Sequence, residues 1–151
     1  LNLIISSINL QNFPILLKNT NDGPVLIFVK GTLHTNPLNS VTIIGTREPS
    51  QHGQIITQRI TEFFVENNWS IVSGLALGCD SIAHNTALKN NGHTVAVLAH
   101  GLQIIAPKSN NILADSIINN GGALISEFPY GQAPLKHCFV QRDITQACLS
   151  R

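Results

Sequence analysis

Residues 69–101 read WSIVSGLALGCDSIAHNTALKNNGHTVAVLAHG, and this stretch has the pattern of one β-α-β unit. Trp69 to Val72 is a short apolar run closed by Ser73-Gly74. Asp80 to Asn91 carries Ile82, Ala83, Ala87 and Leu88 on one side of a helix, and Gly92 supplies its stop. Thr94 to Ala99 returns to strand character and ends near His100-Gly101. Two apolar strands joined through a helix are the crossover of a parallel sheet, buried on both faces.

The same alternation extends in both directions. Upstream, Val41 to Ile44 is a β-branched run ending on Gly45, and the spacing predicts a helix over His52 to Asn67. On that helix Ile55, Ile56, Ile60, Phe63 and Phe64 are expected to draw one apolar stripe. Further upstream, Pro24 to Lys30 reads as a leading strand stopped by Gly31, after an irregular opening. Downstream, a helix is expected over Ser109 to Asn120, with Ser109 as N-cap and Gly121-Gly122 after it. Ala123 to Ile125 is a fourth strand of the alternating series, and Lys136 to Leu149 begins a last helix. Strands recur about every 25 to 28 residues, the period of βα units. The expectation is an α/β fold of three layers with a mostly parallel sheet on a doubly wound path. Residues 1–40 form an N-terminal extension that carries the leading strand of the same domain, and residues 41–151 form the core.

At 151 residues, 43% of them hydrophobic, the chain has material for one buried core. Cys79, Cys138 and Cys148 are too few and too scattered for a disulfide framework, and no C-x-x-C pair suggests zinc. A reducing, cytoplasmic setting is the economical expectation. No apolar run approaches the ~20 residues that span a bilayer, and Leu1 to Leu10 lacks the marks of a signal peptide. The net charge of +1 argues against a broad electrostatic footprint, so a nucleic-acid contact would rest on a few placed cations. The chain contains no methionine and ends abruptly at Leu149-Ser150-Arg151, so a fragment or processed form is expected.

Ligands of open parallel sheets bind beyond the carboxyl ends of the strands. Those ends are Gly45-Thr46-Arg47, Ser73-Gly74, His100-Gly101 and Ser126-Glu127. Small residues let a ligand approach the backbone, the following helices offer free N–H groups, and Arg47 adds a fork suited to phosphate oxygens. A phosphate-bearing ligand follows; the plainer alternative is that these glycines only shape tight turns. The first turn is not the G-x-G-x-x-G of dinucleotide binders, and neither a Walker A lysine nor a G-x-S-x-G nucleophile is present. Hence no cofactor is expected. Asp80, His84, His93, His100 and Cys79 do not form a convincing metal set, and Asp80 reads as a first-turn residue complementing its helix dipole. Glu127 has no partner nucleophile, and no catalytic set emerges.

Taken together, several segments resemble the DNA-processing protein A family (DprA/Smf). Val41 to Ser50 is similar to its strand and G-[ST]-R turn, and Ser73 to His84 to its S-G-L-A-x-G-I-D-x-x-A-H signature, with Cys79 in place of the isoleucine. Thr94 to Leu102, Gly122 to Pro129 and Phe139 to Ser150 resemble T-V-A-V-L-x-x-G-L, G-x-L-x-S-E-F-P and F-x-x-R-[ND]-x-x-x-x-x-L-S. Pro24 to Gly31 fits the family's leading strand, so the likeness runs from Phe13 to Ser150.

The resemblance implies a Rossmann-like domain that binds single-stranded DNA, loads the recombinase RecA in natural transformation and recombination, forms homodimers and is not an enzyme. Carried over by position, the DNA site would comprise Gly45, Thr46, Arg47, Ser73, Gly74, Lys136, Phe139 and Arg142. Cations neutralise phosphates and a ring stacks on a base, and a helix is expected to line up Lys136, Phe139 and Arg142 along one side. Asp143 and Ile144 depart from the usual Asn and basic residue, and Ala106-Pro107 from Tyr-Pro. Family domains also continue with further strands, so this sheet is expected to be truncated at its C-terminus. The competing function is a related nucleotide-binding or phosphoribohydrolase-like protein, whose P-G-G-x-G-T-x-x-E motif is absent here.

Overall fold

The computed structural model describes residues 3–7, 13–33 and 39–150. Six strands form one sheet: β1 (Leu3–Ser7), β2 (Leu26–Gly31), β3 (Ser40–Thr42), β4 (Ser70–Ser73), β5 (Thr94–Val97) and β6 (Ala123–Ser126). The helices are α1 (Ile15–Lys18), α2 (Gln51–Glu66), α3 (Cys79–Lys89), α4 (Asn111–Asn119) and α5 (Lys136–Cys148). Spatial order is β1-β2-β6-β5-β4-β3. The run from β3 to β6 is parallel, while β1 pairs with β2 and β2 with β6 antiparallel. The fold is thus α/β with a mostly parallel sheet.

Alternation along the central strands builds a core on each face. Val72, Val95, Val97, Ala123 and Ile125 point to one side, where they meet Phe13, Leu17 and Leu149. Ala96, Leu98 and Leu124 point to the other and pack on Leu113, Ala114 and Ile117 of α4. Ile71 shares that second side with Ala83 and Ala87 of α3 and Val65 of α2. Three layers follow directly from this period of two. Between β3 and β6 each strand is added beside the last in one direction, and crossovers are right-handed. The three crossover helices therefore share one face, and the expected doubly wound path is replaced by α1 and α5 covering the other.

Three further readings of the sequence change. The opening stretch is not wholly irregular, because β1 lies along β2 with Ile4 opposite Val29; the rest of residues 1–12 lies outside the described residues. Ser109 does not cap α4; it sits inside a 3-10 turn, Lys108–Asn110, that leads into the helix. Most consequentially, α2 buries Thr57, Thr61 and Val65 and leaves Ile55, Ile56, Ile60 and Phe63 exposed. The Thr57 and Thr61 hydroxyls donate to Gly53 O and Thr57 O, at 2.8 and 2.7 Å, so burying them leaves no donor without an acceptor. Their small side chains let α2 lie close to α3, where Thr57 reaches Cys79 Sγ.

Candidate nucleic-acid interface

The carboxyl ends of β3, β4 and β5 open into two adjoining cavities, of about 240 and 290 Å³, which share Arg47, Ala76, Phe139 and Arg142 as walls. The loop after β4 forms their floor. Gly74 N and Ala76 N donate to Asp80 Oδ2 at 3.1 and 3.3 Å, so the first turn of α3 folds the loop back on itself. Ser81 Oγ donates to Ala76 O at 2.5 Å, and Asn110 Nδ2 donates to Leu75 O at 2.8 Å. Burial pushes the Asp80 carboxyl above its ordinary range, opposed by those backbone donors and by Arg142. Asp80 therefore does more than complement a helix dipole: it clamps the loop that carries Gly74.

Two glycines are required by close approach. A side chain on Gly74 would strike the Arg142 guanidinium and the buried Gln146 amide. Gly78 adopts φ +76°, and a Cβ there would collide with the Thr46 carbonyl and the Arg47 backbone. Cys79 N then donates to Thr46 O at 3.1 Å, which locks the first βα turn onto the start of α3. Cys79 Sγ in turn fills the space beside Gly45.

The residues expected to touch DNA fall into distinct groups. Arg47 is exposed, with its Cζ 5.7 Å from the centroid of the Phe139 ring. Arg142 Cζ lies at the same 5.7 Å, within cation–π range. Yet Arg142 is only 7% exposed. Its Nη1 donates to Gly74 O at 2.8 Å and to Val97 O at 3.0 Å, and its Nε to Asp143 Oδ1 at 2.8 Å. It ties α5 to the ends of β4 and β5, and among the described residues Nη2 makes no hydrogen bond. Phe139 is partly buried against Ala99, Phe128 and Cys138 while also lining both cavities. Gly45 lines the second cavity. The Thr46 hydroxyl accepts from Glu48 N at 3.2 Å.

Ser73 faces inward: it is fully buried and donates to Ile43 O at 2.6 Å. Lys136 is exposed on the first turn of α5, outside both cavity walls. Each step of three residues falls short of a full turn, so Lys136 and Arg142 diverge around the helix. Phe139 and Arg142 are brought together; Lys136 stays apart.

Other polar groups near the strand ends have local partners. Glu127 accepts from Gln141 Nε2 at 2.7 Å and from Thr145 Oγ1 at 2.8 Å, one on each carboxylate oxygen. His84 is fully buried beneath the sheet, its Nδ1 2.7 Å from Thr94 Oγ1, which itself donates to Ile71 O. The ring must therefore donate from Nδ1, and burial holds its pKa down to about 3. No group of three or more His, Cys, Asp or Glu side chains among the described residues is placed to hold a metal ion. No helix among them is long and apolar enough to cross a membrane. The site residues expected from sequence did not include His100, named only within a strand end, or Ala106, Pro107 and Pro134, which also line the first cavity. The only signal for them was the His100-Gly101 strand end, since prolines in loops carry no mark of the wall they join.

A family model for DNA recombination-mediator protein A matches residues 5–151. Protein Smf of Escherichia coli is 37% identical over 139 residues, which is 92% of this chain and 37% of that protein. DNA processing protein DprA of Streptococcus pneumoniae is 39% identical over 139 residues, 92% of this chain and 49% of the relative. The chain thus spans about half or less of the length of these relatives. The X-ray structure of DprA from Streptococcus pneumoniae matches with a TM-score of 0.87 at 36% identity, covering 99% of this chain and 52% of that one. DprA from Helicobacter pylori, whose structure was described for its unique single-stranded DNA binding mode, matches with a TM-score of 0.81 at 31% identity. That match covers 97% of this chain and 66% of the other.

Proposed function

The chain belongs to the DNA recombination-mediator protein A family, and on that premise we propose that it binds single-stranded DNA at the paired cavities beyond β3, β4 and β5. One observation carries the reading: an aromatic ring, Phe139, lines both cavities and has two guanidinium groups over it, each 5.7 Å from its centroid. A ring gives any base a face to stack on, and the flanking cations meet the phosphates on either side. Arg47, exposed and free of the carbonyl contacts that hold Arg142, is the phosphate-gripping residue. Gly45 keeps the rim of the second cavity low, and Gly74 makes room for the Arg142 guanidinium beside the ring.

The site is a binding site rather than a catalytic one. The buried acid, Asp80, is engaged by backbone donors, and both Glu127 oxygens have side-chain partners. On the family resemblance, the intact protein acts as a cytoplasmic homodimer that loads RecA onto the bound strand during DNA uptake and recombination. Measuring RecA filament assembly on a single strand with and without the protein checks that part.

The binding itself is tested by fluorescence anisotropy with labelled oligo-dT, a duplex of equal length and free nucleotides as competitors. Tight binding of oligo-dT, with weak competition by duplex and nucleotide, is the expected result. Preference for a free nucleotide would replace this reading with that of a nucleotide-binding protein.

A further inference from the structure

His100 sits where the site needs another donor. It lies in the bend after β5, lines the first cavity with Phe139 and Arg142, and is 2% exposed. Its backbone is fixed, because Ser126 Oγ donates to His100 O at 2.7 Å and Phe128 N donates to Ser126 Oγ at 3.0 Å. Its ring is fixed as well, with Nδ1 3.0 Å from Gly101 O. A carbonyl only accepts, so Nδ1 carries the hydrogen. A neutral imidazole has no second N–H, and Nε2 is then an acceptor.

In that state the ring offers an anion no second donor, and it gains one on taking up a proton. The groups facing it pull in opposite directions. Burial and the Arg142 guanidinium hold the proton off, while the backbone at Gly101 and Ala106 favours the charged ring. A phosphate entering the cavity offsets the Arg142 charge and supplies an acceptor, which shifts the balance toward the imidazolium.

We propose that His100 is a further ligand-contacting residue of this cavity, donating from Nε2 to an oxygen of bound single-stranded DNA in a step that takes up one proton from solvent. The inference rests on the reading of the cavity as the DNA site. It gives the site a third cation that exists only when occupied, and makes affinity rise as pH falls.

The test is oligo-dT anisotropy from pH 5.5 to 8.5 on the parent chain and on His100→Asn, whose amide keeps a donor near the Nδ1 position. The parent is expected to gain affinity toward acid, by no more than about tenfold per pH unit for one proton, and the variant to lose that gradient. His52 and His137 are exposed and present in both proteins, so the difference isolates His100. Histidine ring NMR with and without oligo-dT keeps the idea testable if the variant folds poorly: the apparent pKa of His100 should rise on binding. Tight binding with a flat pH profile, or a gradient unchanged in His100→Asn, overturns the inference alone. Absence of binding at every pH overturns the DNA reading of the cavity, and this inference with it.

Discussion

Arg47 and Arg142 stand equally far from Phe139 but differ in what else they touch, and this separates their variants. Arg47→Ala removes an exposed side chain, so oligo-dT affinity should fall with the thermal melt nearly unchanged; lysine should rescue only in part, having lost the bidentate fork. Arg142→Ala leaves the Gly74 and Val97 carbonyls without their donor, at a cost of about 1–3 kcal/mol for each buried group so orphaned, and should lower both melting temperature and binding. An Arg142→Ala protein that melts like the parent would contradict the hydrogen bonds at its Nη1. Phe139 is intermediate, since it packs on Phe128 and also lines the cavities. Phe139→Leu restores apolar bulk without a flat ring, so it should retain most stability while losing about 1–3 kcal/mol of binding. At this scale the strand-end glycines and arginine singled out Gly74 and Arg47, the family resemblance singled out Phe139, and the structure brings all three to one cavity wall. Sequence reading misjudged Ser73, whose small hydroxyl meets the Ile43 carbonyl instead of a ligand. Pattern alone does not say which way an end residue points.

Among the elements, the strands of the parallel series were legible because a strand buried on both faces leaves a continuous apolar run. Helix α2 was legible in extent but not in orientation. Its apolar residues suggested one buried face, whereas the structure turns the Thr57, Thr61 and Val65 face inward. Threonines that satisfy their hydroxyls within the helix read as polar in sequence and behave as small packing residues in the fold. Ile55, 46% exposed, discriminates between the two orientations. Ile55→Ser should change the urea-unfolding free energy by about 0.5 kcal/mol or less, as surface substitutions do. A loss of about 2–5 kcal/mol, the range for a truncated core isoleucine, would mean that the isoleucines face the sheet. Helix α3 carries a second prediction through His84. The native ring holds its pKa near 3 while the unfolded chain returns to the ordinary 6.5. Between these values the unfolded state binds the additional proton, so stability is complete above pH 6.5 and declines as pH falls. Between pH 6.5 and 5, where carboxylates contribute less, the unfolding free energy should fall by up to about 1.4 kcal/mol per unit. His84→Gln, unable to titrate, should lose its share of that slope even if it is less stable at neutral pH, leaving what His100 contributes, since its pKa is also held down by burial.

For the whole molecule, β1 and β2 were the part of the sheet hardest to foresee, because antiparallel pairing to β6 is set by tertiary contact and not by any βα period. The site lay at the other end of the reasoning: a parallel series with glycines at its strand ends predicts a cleft there whatever the chemistry. That cleft makes the last prediction. The net charge is only +1, and the cations beside Phe139 are two, one of them largely engaged by carbonyls. Binding therefore releases few counterions. For a single strand each neutralised phosphate contributes about −0.7 to the slope of log affinity against log salt, so a slope between roughly −0.7 and −2 is expected. Arg47→Ala should make it shallower by about 0.7. Phe139 stands in a recess between loops, and a base reaches it only when unstacked from its neighbours. A duplex, whose bases are paired and stacked, can offer this site phosphates alone. Affinity for duplex should accordingly be weaker than for oligo-dT of equal length, and the gap should shrink in Phe139→Leu, which removes the contact that duplex cannot make. A parent protein that binds both forms equally, or whose salt slope is steep enough to require many phosphates, would place the DNA on a different surface of the molecule.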